Sequence, residues 1–222
     1  DLKPERARTV SLSWDWRPRP NINVVTNVFH SNMRDLIVTH DASAQSQALA
    51  GAVLSDSTQK VNSGDQSQTG VDVLVQWRFK PGRGWSADAW GSLSLLDGER
   101  QESRDLVTRD LSYIARRKAR LGTTLHYRDT WTITPALLWT DAVNTDRAHP
   151  SIAGARRATK GYTRVDLNIG RHGVFTRDTS LWLRVENLFD RRYFAAHGSA
   201  GTTFVDMPQQ PRTWMLTLEH RM

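Results

Sequence analysis

Arginine is the residue type in this sequence with most to offer a ligand. Of 30 Lys and Arg, five are Lys, and the excess over 23 Asp and Glu gives a formal charge of +7. The arginines cluster. Arg109, Arg116, Arg117 and Lys118 fall together, as do Arg147, Arg156, Arg157 and Lys160, and then Arg191 and Arg192. A guanidinium presents a planar fork of donors that suits carboxylates, catecholates and phosphates. Arg116, Arg117, Arg156, Arg157, Lys160, Arg191 and Arg192 are therefore the candidate ligand contacts. The plainer reading is that they are solvated or meet anionic lipid. A basic balance fits an anionic partner of some kind, whether nucleic acid, lipid headgroup or small molecule.

Other chemistry is scarce. The seven His are His30, His40, His126, His149, His172, His197 and His220, and no two share a strand at metal-ligand spacing. There is no Cys, which excludes disulfides and thiolate metal sites. Gly-x-Ser-x-Gly, His-Glu-x-x-His and phosphate-loop patterns do not occur. No carboxylate pair is set apart for acid–base work. Neither a catalytic residue, nor a metal site, nor a cofactor is assigned, and an outer-membrane hydrolase has no nucleophile–base arrangement to stand on.

The elements that would position the arginines are strands. Val71-Asp72-Val73-Leu74-Val75-Gln76-Trp77-Arg78-Phe79 is apolar at every odd position. The same period-two pattern runs through Val10–Trp16, Trp85–Leu95, Ala119–Tyr127, Trp131–Trp139, Val165–Ile169, Leu181–Glu186 and Trp214–Leu218. Ile22–Phe29 is mixed and makes a ninth candidate, and no amphipathic helix is found. Two blemishes are Pro135, which removes a ladder donor, and Trp182 on the otherwise polar side. No apolar run approaches the ~17–25 residues of a membrane helix.

Connections alternate short and long. Short ones lie near Arg17–Asn21, Lys80–Gly84, Arg128–Thr130 and His172–Thr179, and long ones near Met33–Ser67, Leu96–Ser112, Asp141–Tyr162 and Arg191–Thr213. Tight turns at one end of an up-and-down sheet and long polar loops at the other describe an outer-membrane barrel. Trp16, Trp77, Phe79, Trp85, Tyr127, Trp131 and Trp214 fall near strand ends, where interfacial aromatic girdles sit. Polar positions such as Asp72, Gln76, Arg78, Asp88, Arg120, His126, Asp166, Asn168, Arg184 and Glu186 would then line the lumen, with charges paired across strands. The competing reading is a soluble β-rich module that binds an anionic ligand, glycan or nucleic acid. It predicts basic residues interleaved with aromatics on one face, whereas here apolar and polar faces separate.

Several stretches resemble the TonB-dependent outer-membrane receptors. Leu2-Lys3-Pro4-Glu5 is similar to that family's Leu-Lys/Arg-Pro-Glu segment and is followed by the aromatic pair Trp14 and Trp16. Phe29–Ile37 resembles its aromatic-led strand ending in Asp-Leu-Ile, and Val61-Asn62-Ser63-Gly64 with Thr69-Gly70-Val71-Asp72 resembles its Asn-x-Gly…Gly-Val-Glu pattern. Val185-Glu186-Asn187-Leu188-Phe189-Asp190-Arg191-Arg192-Tyr193 is similar to Val-x-Asn-Leu-Phe-Asp-x-x-Tyr, and Pro208 through Arg212 and Thr213 to Pro-x-x-Arg-Thr. Leu2, Pro4, Glu5, Asn187, Leu188, Phe189, Asp190, Tyr193, Pro208 and Arg212 carry the resemblance and are read as structural, with Phe189 and Tyr193 as girdle aromatics.

The resemblance implies the C-terminal part of an all-β, antiparallel up-and-down transmembrane barrel: about nine strands of a roughly 22-stranded wall, with the plug domain, TonB box and earlier strands outside it. It also implies a receptor in the outer membrane for a scarce ligand, most often a ferric siderophore, with cobalamin, haem and glycans as other classes. The implied partners are outer-membrane lipid and lipopolysaccharide, the plug, and the TonB complex; nucleic acid is not among them. The family usually ends on an aromatic residue, and Glu219-His220-Arg221-Met222 departs from that. Nine such strands by themselves are not expected to transport autonomously.

Overall fold

Residues 2–41, 58–102, 107–148, 156–196 and 206–221 are described in a computed structural model. The strands are β1 (Arg6–Arg19), β2 (Ile22–Arg34), β3 (Ile37–Asp41), β4 (Thr58–Asn62), β5 (Asp65–Gly82), β6 (Trp85–Glu102), β7 (Val107–Asp110) and β8 (Arg117–Tyr127). They continue as β9 (Trp131–Thr140), β10 (Val143–Ala148), β11 (Arg156–Thr159), β12 (Tyr162–His172), β13 (Thr179–Glu186), β14 (Phe194–Ala196), β15 (Asp206–Pro208) and β16 (Thr213–His220). No helix occurs among the described residues. The principal sheet runs β1-β2-β5-β6-β8-β9-β12-β13-β16, with β7 paired to β6. Those nine path strands are the nine strand candidates of the sequence, the mixed Ile22–Phe29 included, in chain order.

The described chain divides into two compact units, one of Asp1–Ser11, Phe29–Thr69 and Asp97–Leu111, the other of Leu12–Val28, Gly70–Leu96 and Ser112–Met222. In the second unit the register puts the odd-numbered apolar residues of β6, β8, β9, β12 and β13 on one face with the even-numbered Trp214, Leu216 and Leu218 of β16. The register pairs Trp85 with Tyr127, Tyr127 with Trp131, and Trp131 with Arg171, so the short-turn ends of β6, β8, β9 and β12 make one row. Trp77 and Phe79 stack with centroids 4.3 Å apart, and Trp85 meets Tyr127 at 4.7 Å. This face is not folded into a core. Leu216 is 69% exposed, Leu218 60% and Leu121 55%, which is what a sheet with a lipid-facing side presents.

The sheet also accommodates its two irregular residues. Pro135 pairs with Leu167 in an unbroken β9–β12 register. On the β8 side the register stops at Gly122–Ala136 and resumes at Leu125–Ile133. The missing N–H therefore falls on one side only, where the Thr134 hydroxyl donates to Thr124 Oγ1 at 3.3 Å. Trp182 lies over its register partner Gly170, and Trp90 over Gly122. A Cβ on either glycine would come within 2.5 Å of the indole.

The long connections differ from their expected loop character. They contain the short hairpins β3–β4, β10–β11 and β14–β15, and β7 prolongs the ladder of β6. The buried side chains of the β10–β11 hairpin, Thr145 and Thr159, are polar, so no apolar alternation marks it in the sequence. β5 and β6 each reach 18 residues, beyond the ~9–11 of a membrane crossing, because their polar ends stay paired past the apolar segment.

Candidate functional site

Turns and loops end the strands in different ways. At the short end the Tyr127 carbonyl accepts the Thr130 N–H at 3.0 Å, with Arg128 and Asp129 both at positive φ. That is a tight type I′ hairpin turn. At the other end, side chains of the family-like motifs fix where each loop leaves the sheet.

In the first unit, Asn62 Nδ2 donates to the Lys3 and Asp35 carbonyls, each at 2.7 Å, while its Oδ1 accepts the Lys3 N–H at 2.6 Å. Glu5 Oε1 accepts the Ile37 N–H at 2.7 Å. Three motif segments distant in sequence, around Glu5, Asp35 and Asn62, thus meet at one clamp. Pro4 follows the clamped Lys3, and Leu2 is exposed.

In the second unit Asn187 is the hub. It is 1% exposed at φ 53°. Its Nδ2 donates to the Arg191 carbonyl at 2.9 Å and the Gln210 carbonyl at 3.3 Å, and its Oδ1 accepts the Arg191 N–H at 2.9 Å. Its own N–H donates to Asp166 Oδ1 at 2.8 Å, and the other Asp166 oxygen takes Arg164 Nη2 at 2.8 Å. Asp190, at φ 50°, accepts the Arg212 N–H at 2.9 Å, and the Leu188 N–H reaches the Val165 carbonyl at 2.7 Å. The Tyr193 carbonyl accepts the Gln209 N–H at 3.0 Å, beside Pro208. Phe189 is 74% exposed, but Tyr193 is buried: it packs on Tyr162 at 4.4 Å and its hydroxyl accepts Arg164 Nη1 at 3.1 Å. Tyr193 is therefore an anchor beneath the loop and not a girdle residue, because Arg164 offers its hydroxyl a partner inside the protein.

The arginine candidates separate into two groups. Arg157 Nη2 donates to Asp206 Oδ2 at 2.7 Å, and the Thr159 hydroxyl to Asp206 Oδ1 at 2.7 Å, which ties β11 to β15. Arg117 Nε meets Asp141 Oδ2 at 3.2 Å. The Arg116 carbonyl accepts the Leu96 N–H at 2.8 Å. Ala115 bridges Val143, and the Tyr113 N–H donates to the Asn144 carbonyl at 2.7 Å, so the segment before β8 is laced to β10. Lys160, Arg191 and Arg192 are exposed, and no acidic partner meets their side chains among the described residues. The side chains of Arg156 and Arg147, and His149 and His197 entirely, lie outside the described residues. Sequence counting found the cations but missed the acids Asp141 and Asp206 that engage two of them. Asp206 stands between Val205 and Met207 in a stretch with no period-two signal.

The polar face of the second unit carries paired charges. Arg78 Nε meets Asp88 at 2.9 Å, Ser94 donates to Asp72 at 2.5 Å, and Arg184 pairs with Glu186. Thr132 Oγ1 lies 3.3 Å from His126 Nδ1 and 3.0 Å from His172 Nε2, whose Nδ1 meets Ser180 Oγ at 3.0 Å. One hydroxyl hydrogen cannot serve both rings, so at least one imidazole donates its N–H to the Thr132 oxygen. No group of three or more metal-ligating side chains exists among the described residues. The arrangement can wet and line a wall and offer cations at one end.

Comparison with solved structures places the fold. The ferric-catecholate import receptor Fiu of E. coli K12 superposes with a TM-score of 0.69 at 18% identity, over 98% of this chain and 28% of that one. The FrpB iron transporter of Neisseria meningitidis gives 0.69 at 15%, over 99% and 31%. The ferripyoverdine receptor of Pseudomonas aeruginosa gives 0.68 at 14%, over 98% and 27%. The chain thus spans less than a third of the length of each. No curated protein matches it in sequence. The model of the TonB dependent receptor-like β-barrel family matches residues 1–188, ending just inside the Asn187 hub. This chain belongs to the TonB-dependent receptor family, as part of its β-barrel.

Proposed function

We propose that this chain forms wall and outer loops of an outer-membrane receptor that takes up a scarce ligand at the expense of TonB-delivered energy, and that the ligand is a ferric siderophore. The observation that carries the reading is the asymmetry of the second unit. One end of an apolar-faced sheet has tight turns, and the other has hairpin-built loops with Lys160, Arg191 and Arg192 exposed and unpaired among the described residues. Ferric siderophores are large and commonly anionic, which suits forked cationic donors. Relatives in fold that are described as ferric-catecholate and ferripyoverdine receptors support the choice over cobalamin or haem. The TonB complex and a plug would be engaged by parts of the receptor beyond these strands. The exposed apolar face speaks against a soluble binding module, which would have to bury it.

The test is uptake of radiolabelled ferric catecholate and hydroxamate siderophores by cells whose only siderophore receptor is the complete parent protein. TonB-dependent accumulation of one class is expected. Recovery of the protein in the soluble fraction, or uptake indifferent to TonB, overturns the reading.

A further inference from the structure

We propose a binding site for an anionic phospholipid of the periplasmic leaflet on the apolar face of β5, β6 and β8. This rests on the outer-membrane placement above. Two independent features meet there. The first is a groove of about 350 Å³, within the ~300–1,000 Å³ range of ligand pockets. Its floor is made of Ala89, Gly91 and Ala119, and its walls are Val75, Trp77 and Leu121. The floor is low because the residues are small: Leu121 lies across Gly91, where a Cβ would come within 2.9 Å of it.

The second feature is a row of cations at the short-turn end of the same face. The Arg128 guanidinium sits 5.1 Å from the Tyr127 ring centroid, and Arg171 sits 4.9 Å from that of Trp131. The aliphatic stem of Arg128 covers Gly84, with Lys80 near the end of β5 and Arg83 in the adjacent turn. None of these four cations has an ion pair among the described residues; the one carboxylate in the Arg128 turn is Asp129. Aromatic rings hold the two guanidiniums at headgroup level, where a phosphodiester is their natural counter-ion.

Along the strand direction, the spacing between the groove and the aromatic row fits one molecule. Ala89 lies four residues along β6 from Trp85, which is about 13 Å at ~3.3 Å per residue. The hydrocarbon half-thickness is about 15 Å. A headgroup held at the aromatic row therefore sends an acyl chain down β6 into the groove. Charge complementarity selects an anionic lipid over a zwitterionic one, and the apolar groove selects a lipid over free phosphate.

The experiment is native mass spectrometry of the full-length receptor in detergent, titrated with phosphatidylglycerol, phosphatidylcholine of the same acyl chains, and glycerol phosphate. Phosphatidylglycerol is expected to be retained roughly thirtyfold better than phosphatidylcholine, two arginines being involved, with no retention of glycerol phosphate. Arg128→Gln with Arg171→Gln should remove that preference, and Ala119→Leu should weaken both lipids alike. Heat-modified gel mobility confirms that each variant is folded, and Lys118→Gln, at the opposite end of β8, provides a folded charge-loss control. Equal retention of both lipids by the wild type, or a preference that survives the double variant, overturns the proposal. Recovery of the receptor outside the outer membrane would instead overturn the reading on which it rests.

Discussion

Arg157 donates to Asp206 at 2.7 Å across a sequence separation of 49 residues, and Thr159 fills the other carboxylate oxygen. The Arg157 side chain is 29% exposed and that of Asp206 14%, so this pair is shielded more than a typical surface bridge, whose worth is small. It ties one outer hairpin to the next.

A double-mutant cycle separates a scaffold role for Arg157 from ligand contact. As a scaffold, Arg157→Gln and Asp206→Asn each loosen the loops by about 1.5–3 kcal/mol. Combined, they fall short of additivity by more than about 0.5 kcal/mol. Limited proteolysis of the intact receptor reads the loosening. If Arg157 instead touches the ligand, Arg157→Gln lowers affinity while Asp206→Asn leaves it unchanged or raises it.

Asn187 should be the least replaceable residue of its motif. Its side chain makes three hydrogen bonds while buried, and its φ of 53° lies where Asn and Gly are tolerated. Asn187→Gly keeps the backbone and loses the bonds, and should cost on the order of 1–3 kcal/mol. Asn187→Ala adds backbone strain and should cost about 1 kcal/mol more. The measurement is the temperature at which the barrel loses heat-modified mobility. Equal midpoints for the two variants would mean that the left-handed backbone adds nothing.

Sequence patterning reveals the wall better than the loops, for a physical reason. Val73, Val75 and Trp77 alternate with Asp72, Gln76 and Arg78 because one face meets an apolar phase and the other a polar one. The β10–β11 hairpin buries Thr145 and Thr159 instead of apolar residues and leaves no such pattern. The family-like motifs were readable as words but not as geometry. Nothing in the spacing of Glu5, Asp35 and Asn62 announces that they share a clamp. Tyr193 was misplaced because its partner Arg164 lies 29 residues away. Trp182 broke the alternation for a reason visible only in the register: Gly170 stands opposite it.

That pairing supplies a prediction of its own. Gly170→Ala puts a methyl group within 2.5 Å of the Trp182 ring, and overpacking of this kind costs about 1–3 kcal/mol. Trp182→Leu should relieve the clash, so the double variant is expected to be more stable than Gly170→Ala alone. Thermal midpoints in detergent check the order, and a double variant worse than both singles would show that the indole does not cover the glycine.

The last prediction turns on which medium meets the apolar face. Leu121 is 55% exposed in the middle of β8, and Thr124, on the same strand, points to the other face. In water an exposed leucine tolerates replacement, and Leu121→Arg would change stability by no more than about 0.5 kcal/mol. Against lipid the same change puts a guanidinium into hydrocarbon, at a cost of about 2–4 kcal/mol near the midplane. Thr124→Arg faces a polar lumen under the membrane reading and should be the milder substitution. The full-length receptor is refolded into liposomes with each change, and the folded fraction is read from gel mobility before and after boiling. A large loss for Leu121→Arg with little for Thr124→Arg is expected. The reverse order would place water on the face that carries Trp77, Leu121 and Leu216, and the outer-membrane reading would fall with it.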